Sequence, residues 1–386
     1  MANDAKRILI VGAGFSGAVI ARELAERGHA VTVVDQRGHV GGNCHTQIDD
    51  ETGIMVHRYG PHIFHTDDQR VWDYINRFCE MVPFINRVKA VAAGQIFSLP
   101  INLHTINQLF DRTMSPDEAK AFVSGLARPS PTEPVSFEDQ ALSMVGEKIY
   151  HTFLRGYTRK QWGVEPTRLP ASILKRLPVR FNYDDGYYNH RYQALPRDGY
   201  TAAIKRILDC PGITLHLSQR SDARHTDHDH VVHSGAIDDY FSHELGRLEY
   251  RTLDFERFVH PGDFQGNPVI NYCDEDVPWT RIAEHRHFSP WQEPTKGGSV
   301  CYREYSRACG PDDIPYYPLR LVDDKRRLDA YVEKARAQRG VAFVGRLGTY
   351  SYLDMDVTIG RALETAEALS AAWERDEDAP VFVHAP

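Results

Sequence analysis

The chain has 386 residues, a formal net charge of −8, and 42% hydrophobic and 25% charged residues, which suits a globular protein of two or three domains at ~150 residues each. The acidic balance argues against non-specific nucleic-acid binding, which needs Lys and Arg to neutralise phosphates. Any site for an anionic ligand must therefore be built locally from basic side chains.

Near the N-terminus, Arg7–Val11 (RILIV) reads as a buried strand. It is preceded by no long apolar segment with a small-residue cleavage site, so the start does not read as a secretory signal. Residues 12–17 (GAGFSG) form a glycine turn, Ser16 to Arg27 a helix with Gly28 at its C′ position, and Ala30–Asp35 a second strand. This is a βαβ opening carrying G-x-G-x-x-G. Gly12 permits the tight turn, Gly14 lets the backbone approach a pyrophosphate, and Gly17 lets helix and strand pack closely. The helix N-terminus, from Ser16, offers free N–H groups to phosphates. Asp35 ends the second strand where a ribose diol would be held. NAD and FAD both use this arrangement.

Residues 70–130 read as mostly helical, with VWDYINRFCEMV at helical spacing. Ser115, Pro116 and Glu118 form an N-cap, N1 and N3 set that starts a helix. The proline-rich stretch 128–134 reads as a linker. From 176 to 195 the chain becomes aromatic and extended, and from 228 to 320 strand-like runs recur, beginning with HVVHSGAI, which suggests an antiparallel sheet. Residues 341–346 hold a last strand, Thr358 to Trp373 a helix, and the last ten residues a mobile tail. The six cysteines, at 44, 79, 210, 273, 301 and 309, form no C-x-x-C pair and read as free thiols of a reducing cytoplasm. No apolar run approaches the ~20 residues of a membrane span.

His225, His228, His230 and His233 lie in one short stretch with Asp227 and Asp229. His228 and His230 would share a strand face, which admits zinc, but no Cys joins them and the spacing is no known ligand signature. The segment reads as a solvated loop entering a strand, and no metal site is assigned.

The motifs VVDQRGHVGGN, HRYGPHIFHT, YTRKQWG, LKRLPVRFNYDDGYY, TRIAEHRHF, PYYP and GRLGTYSYLDMD follow one another along the chain. Together, from residue 7 to about 356, they resemble the motif series of the UDP-galactopyranose mutases. The stretches Arg224–His233 and Gly297–Asp313 are the ones that do not match closely. The resemblance implies an α/β fold: a Rossmann-like FAD-binding domain (1–75, completed by about 196–235 and 335–375), a mainly helical domain (76–175) and an antiparallel sheet domain (176–195 and 236–334). It implies FAD, active when reduced, and interconversion of UDP-galactopyranose and UDP-galactofuranose by attack of the flavin N5 on the anomeric carbon. A cytoplasmic homo-oligomer served by a cellular flavin reductant is the corresponding expectation, supplying galactofuranose for cell-envelope polysaccharide.

The resemblance also assigns residues. Arg176 and Arg281 would hold the diphosphate, as guanidinium forks suit phosphate oxygens, with His65 at the reactive edge of the flavin. Gly12, Gly14, Ser16, Gly17, Asp35, Gly42, Asn43, His62, Ile63, Arg346, Asp354 and Met355 fall to the cofactor. Asn86, Tyr157, Thr158, Trp162, Tyr187, Arg251, Asn271, Tyr317 and Tyr352 fall to the substrate, with Trp162 at the uridine. The bland alternatives are surface ion pairs for the arginines, core packing for Trp162 and the tyrosines, and helix capping for Asp354 and Asp356. An FAD oxidoreductase of the amine-oxidase type would share the opening fold, but it needs an apolar cage for a neutral amine rather than several arginines and tyrosines.

Overall fold

The computed structural model describes residues 5–128, 133–176, 179–292, 297–319 and 322–386, apart from the side chains of 172, 175, 176, 322 and 323. Near-continuous burial of Ile8, Leu9 and Ile10, and of Val31, Val33 and Val34, marks the first two strands, Arg7–Val11 and Ala30–Val34, and they pair in parallel. The parallel sheet they nucleate has five strands, in the order Ile213–His216, Ala30–Val34, Arg7–Val11, His230–His233, Val341–Phe343. Strand His230–His233, from the HVVHSGAI run expected in an antiparallel sheet, instead lies parallel beside Arg7–Val11. Its four residues are buried on both faces, which is how parallel strands sit beneath helices. The helix Phe15–Glu26 buries Ala18, Val19, Ile20, Ala21 and Leu24. It packs against Gly199–Leu208 and Met355–Glu374. Each fully buried Leu or Ile there contributes roughly 1.5–3 kcal/mol.

The second sheet has seven strands, in the order Tyr317–Pro318, Tyr250–His260, Ser299–Ala308, Arg281–Glu284, Val269–Tyr272, Val88–Ala92, Gln95–Leu99. All pairs are antiparallel except Val269–Tyr272 with Val88–Ala92. Residues 88–99, expected within a helical stretch, thus form a hairpin, turned by Ala93 and Gly94 with φ of 49° and 72°. Their alternating burial is the period of a strand, which overrides the helical reading of their neighbours. A small sheet joins Phe64–Thr66, Tyr192–Pro196 and Met81–Pro83. Of the stretch expected to be extended, only Tyr192–Pro196 is a strand among the described residues; Ala171–Arg176 is a 3₁₀ turn.

The helices Leu103–Phe110, Pro116–Leu126 and Phe137–Ile149 share a core of Ile106, Val123, Phe137 and Val145. Ser115 and Glu118 close a capping box with Pro116 at N1. A π-helical turn, Tyr150–Arg155, then leads into the helix Gly156–Trp162. The centre of the expected linker, 129–132, lies outside the described residues. The final helix is Met355–Glu374, three residues earlier at its start than expected. The tail expected to be mobile is instead packed: Phe343 N donates to Val381 O at 2.9 Å, and Phe382 stacks on Phe343. All six cysteines are free. Among the described residues no helix is long and apolar enough to cross a membrane.

Candidate active site

The first cluster is a cradle of backbone. Gly12 has φ +104°, and a Cβ there would lie 2.1 Å from Ser234 Oγ. A Cβ on Gly42 would lie 3.4 Å from Gly14 Cα, so two glycine loops pass in contact, joined by Gly41 N donating to Ala13 O at 2.9 Å. Asp35 closes the cradle: Oδ2 accepts from Ala13 N and Oδ1 from Arg37 N, both at 2.8 Å. Arg37 in turn donates to Asn43 Oδ1 at 2.9 Å. The helix beginning at Phe15 has no side-chain cap, and its first N–H groups are the donors that a diphosphate takes at a helix N-terminus. Gly17 packs against the Gly12 carbonyl, and Ser16 lies against Gly345, next to Arg346. This cradle fits the diphosphate of a dinucleotide cofactor.

The second cluster lies on the loop and strand of the HIFHT motif. His62 Nδ1 pairs with Gly60 O at 2.8 Å. Burial, reinforced by the charges of Arg346 and Arg281, pulls its imidazole down to about 4. Ile63 is buried beside it. His65 is stacked on Tyr188 at 3.8 Å and on His190 at 4.6 Å between ring centroids. Two rings that close cannot share one face, so His65 is sandwiched. Its Nδ1 is buried without a hydrogen-bond partner among the described residues, as is Asp356 Oδ1. Burial lowers the His65 pKa, while Asp354 and Asp356 pull it up. Asp354 and Met355 start the last helix. Asp354 occupies the N-cap position, yet its side chain makes no capping bond, so capping does not account for it.

The third cluster centres on Arg281. Its Nε donates to Glu304 Oε2 at 2.8 Å, across the paired strands, and Glu304 is 2% exposed. Burial opposes the charge on Arg281, but Glu304 and the phenols of Tyr157 and Tyr317 outweigh it and raise the pKa. Burial also raises the pKa values of Tyr157, Tyr187 and Tyr317, the last to about 12, while Arg281 pulls all three down. These phenols are therefore neutral donors around one guanidinium. Tyr317 stacks on Tyr352 at 5.9 Å, and Arg346 lies over both rings. Arg346 donates to the carbonyls of Tyr316 and Leu353, and with His62 it links this cluster to the second. Asn271 stands opposite Arg281 in the sheet. The Oδ1 atoms of Asn271 and Asn86 are both buried without a partner among the described residues.

Trp162 is half-buried against Tyr317, at 6.4 Å, and against the helical core. Thr158 is buried on the same helix. Arg251 is buried with neutral acceptors: Gln161 O and Ser306 Oγ at 3.1 Å, and Lys160 O at 3.4 Å. Burial lowers its pKa. Arg176 ends the turn Ala171–Arg176, and its side chain lies outside the described residues. The sequence reading missed Glu304, which falls in the stretch 297–313 where the motif series could not be followed, Tyr188, which ends the quoted motif LKRLPVRFNYDDGYY beside the assigned Tyr187, and His190, which lies just beyond that motif. In the His-rich segment, His230 and His233 are buried in a strand against Trp373 and against Tyr240.

The profile of the UDP-galactopyranose mutase family matches residues 152–352, and that of an NAD(P)-binding Rossmann-like domain matches residues 10–78. A probable UDP-galactopyranose mutase of Klebsiella pneumoniae is 55% identical over 98% of each chain. A dTDP-fucopyranose mutase of Escherichia coli is 50% identical over 94% of this chain and 97% of its own. A crystal structure of reduced UDP-galactopyranose mutase superposes with a TM-score of 0.75 at 16% identity, covering 99% of both chains.

Proposed function

The chain belongs to the UDP-galactopyranose mutase family, and on that premise we propose that it interconverts UDP-galactopyranose and UDP-galactofuranose with no net redox change. The observation that carries this is Arg281, charge-balanced by buried Glu304 and surrounded by Tyr157, Tyr187 and Tyr317. One guanidinium among neutral phenols is a receptor for a diphosphate, not the apolar cage that an amine oxidase needs.

A flavin is the cofactor of this family, and when bound and reduced it supplies a nucleophilic nitrogen, N5, for the anomeric carbon. Gly12, Gly14, Ser16, Gly17, Asp35, Gly42 and Asn43 would hold its dinucleotide portion. His62, Ile63, Arg346, Asp354 and Met355 would border its ring system. Arg281, with Arg176, neutralises the diphosphate as the glycosidic bond breaks, when charge develops on the leaving oxygen. Tyr157, Tyr187, Tyr317 and Tyr352 present hydroxyls to phosphate and sugar. Trp162 offers its face to the base; Asn86, Thr158 and Asn271 offer polar contacts; and Arg251 adds a second positive field. His65, held neutral by burial, can accept and return the hydroxyl proton that moves when the ring opens and recloses.

The three-domain partition, cytoplasmic location, homo-oligomeric state, cellular reductant and role in cell-envelope polysaccharide supply belong to the same proposal and rest on family membership. The test is chromatographic assay of UDP-galactofuranose with oxidised and with dithionite-reduced enzyme, and dTDP-fucopyranose offered in parallel because of the 50% identical relative. Many turnovers per flavin only after reduction, with UDP-galactose preferred, is the expected result. Equal turnover by oxidised enzyme defeats the mechanism, and preference for dTDP-fucopyranose reassigns the substrate.

A further inference from the structure

Lys160 lies three residues after Tyr157 and two before Trp162, on the helix Gly156–Trp162. Its Nζ reaches four backbone carbonyls: Tyr272 O at 2.7 Å, Asp274 O at 2.8 Å, Val277 O at 2.9 Å and Trp279 O at 3.1 Å. An ammonium has three protons, so four oxygens share them. The arrangement is a cation cage of carbonyl dipoles, of the kind by which backbone oxygens hold a bare monovalent ion. The four carbonyls belong to the end of strand Val269–Tyr272 and to the segment joining it to strand Arg281–Glu284, and these strands carry Asn271 and Arg281.

Other contacts lie around this one. A Cβ on Gly156 would sit 2.3 Å from Cys273 O, so helix backbone and turn are in direct contact. Arg155 and Arg159 both pair with Glu275 on the same turn. Those pairs are about two-fifths exposed, and exposed pairs contribute little. Lys160 is the better-buried fastener, and removing it leaves four carbonyls to find other partners. Burial draws its pKa down to about 8 against the pull of nearby Cys273, Asp274, Asp276 and Glu275, which leaves it charged at neutral pH.

We propose that Lys160 is a positioning residue for nucleotide binding. Its ammonium clamps the helix that carries Tyr157 and Trp162 onto the turn between the strands that carry Asn271 and Arg281, and so fixes the spacing between the aromatic face and the phosphate-binding guanidinium. This rests on the reading of those four residues as the nucleotide site. The cage itself takes no substrate, because its oxygens are already committed to Nζ.

The test uses the full-length flavin-loaded enzyme and its Lys160→Met, Lys160→Ala and Lys160→Arg variants, with UDP as probe and Arg281→Ala as the reference. A misplacement of about 1 Å can cost on the order of a hundredfold. Lys160→Met is therefore expected to raise the UDP Kd and the KM by roughly ten- to a hundredfold, with kcat changed less and FAD content unchanged. Amide hydrogen exchange over residues 272–280 should rise in the same variant. In Lys160→Ala the cage is open to a small cation, so added potassium or methylammonium should restore UDP affinity and amide protection, while choline should not. Lys160→Arg keeps the charge, but a planar fork cannot converge on all four carbonyls. It should show weakened UDP binding even if the smaller variants do not fold. Wild-type UDP affinity in Lys160→Met and Lys160→Arg, alongside lost affinity in Arg281→Ala, overturns the clamp and leaves the site intact. Normal UDP affinity in Arg281→Ala overturns the site reading, and the proposal with it.

Discussion

Gly163 and Arg251 compete for the same volume: a methyl group on Gly163 would lie 2.3 Å from Arg251 Nη1 and 2.8 Å from its Cζ. Gly163 also ends the helix Gly156–Trp162 with φ +69°, the left-handed cap that glycine takes without strain. Gly163→Ala is expected to lose about 1–2 kcal/mol from the backbone alone and to push the guanidinium off its three neutral acceptors. Urea unfolding and UDP titration check it together. An unchanged unfolding midpoint would show that the helix end relaxes freely.

Arg281→Ala removes one partner of a desolvated pair and leaves Glu304 buried beside Thr280. The expected loss in transition-state stabilisation is about 2–5 kcal/mol, at least about thirtyfold in kcat/KM. Lysine restores only part, because it lacks the fork. Near-normal kcat/KM in Arg281→Ala would remove it from the site.

Asp35→Ala deprives Ala13 N and Arg37 N of their acceptor and opens the glycine cradle. A hydrogen bond to a charged group contributes about 1.5–3 kcal/mol, so FAD occupancy after purification should fall, as read from flavin absorbance against protein. Full occupancy would show that the cradle is held by its glycines alone.

Trp162→Ala separates two roles. Stacking on a base is worth about 1–3 kcal/mol by the nucleic-acid analogy, so UDP affinity should fall while the flavin spectrum holds. Early melting with unchanged UDP affinity would make Trp162 a core residue.

His57, His230, His233 and His285 are buried, and burial lowers all four pKa values, to about 4 for His230 and His233 and to about 3 for His285. Their folded values lie below the usual 6.5, so the unfolded chain binds more protons as the pH falls. The stability they confer is complete above about pH 6.5 and is lost progressively below it, by up to about 1.4 kcal/mol per pH unit for each histidine. Chemical denaturation between pH 7 and pH 5 should show a steep decline, shallower by about one proton in His230→Gln. Stability independent of pH over that range would contradict the buried, neutral state.

What was legible in the sequence was local. Strand Arg7–Val11, the glycine turn, its helix and the second strand lie within 30 residues, and hydrophobic period with turn chemistry suffices to read them. The capping box at Ser115 is equally short-range. The partner of Arg7–Val11 on its other side comes from residues 230–233, and nothing in HVVH says which sheet it joins. The hairpin 88–99 had a signal in its alternation around Ala93–Gly94, hidden by helical neighbours. In the candidate site, single residues could be matched, but Glu304 facing Arg281 and the carbonyl cage around Lys160 depend on strand register and a turn conformation. No side-chain pattern encodes these.

The order of the parallel sheet also has a consequence for synthesis. Strand Arg7–Val11 is flanked by residues 30–34 and 230–233, and strand 341–343 completes the far edge, beneath Val381. At about 5–20 residues per second, the ribosome leaves the first strand without its second neighbour for roughly 10–45 s, exposing Ile8 and Ile10 on a nascent chain. Contacts this distant along the chain also form slowly. The glycine cradle hangs from that strand and is touched by Ser234 and Gly345, so it takes its final shape only after those two distant segments have left the ribosome.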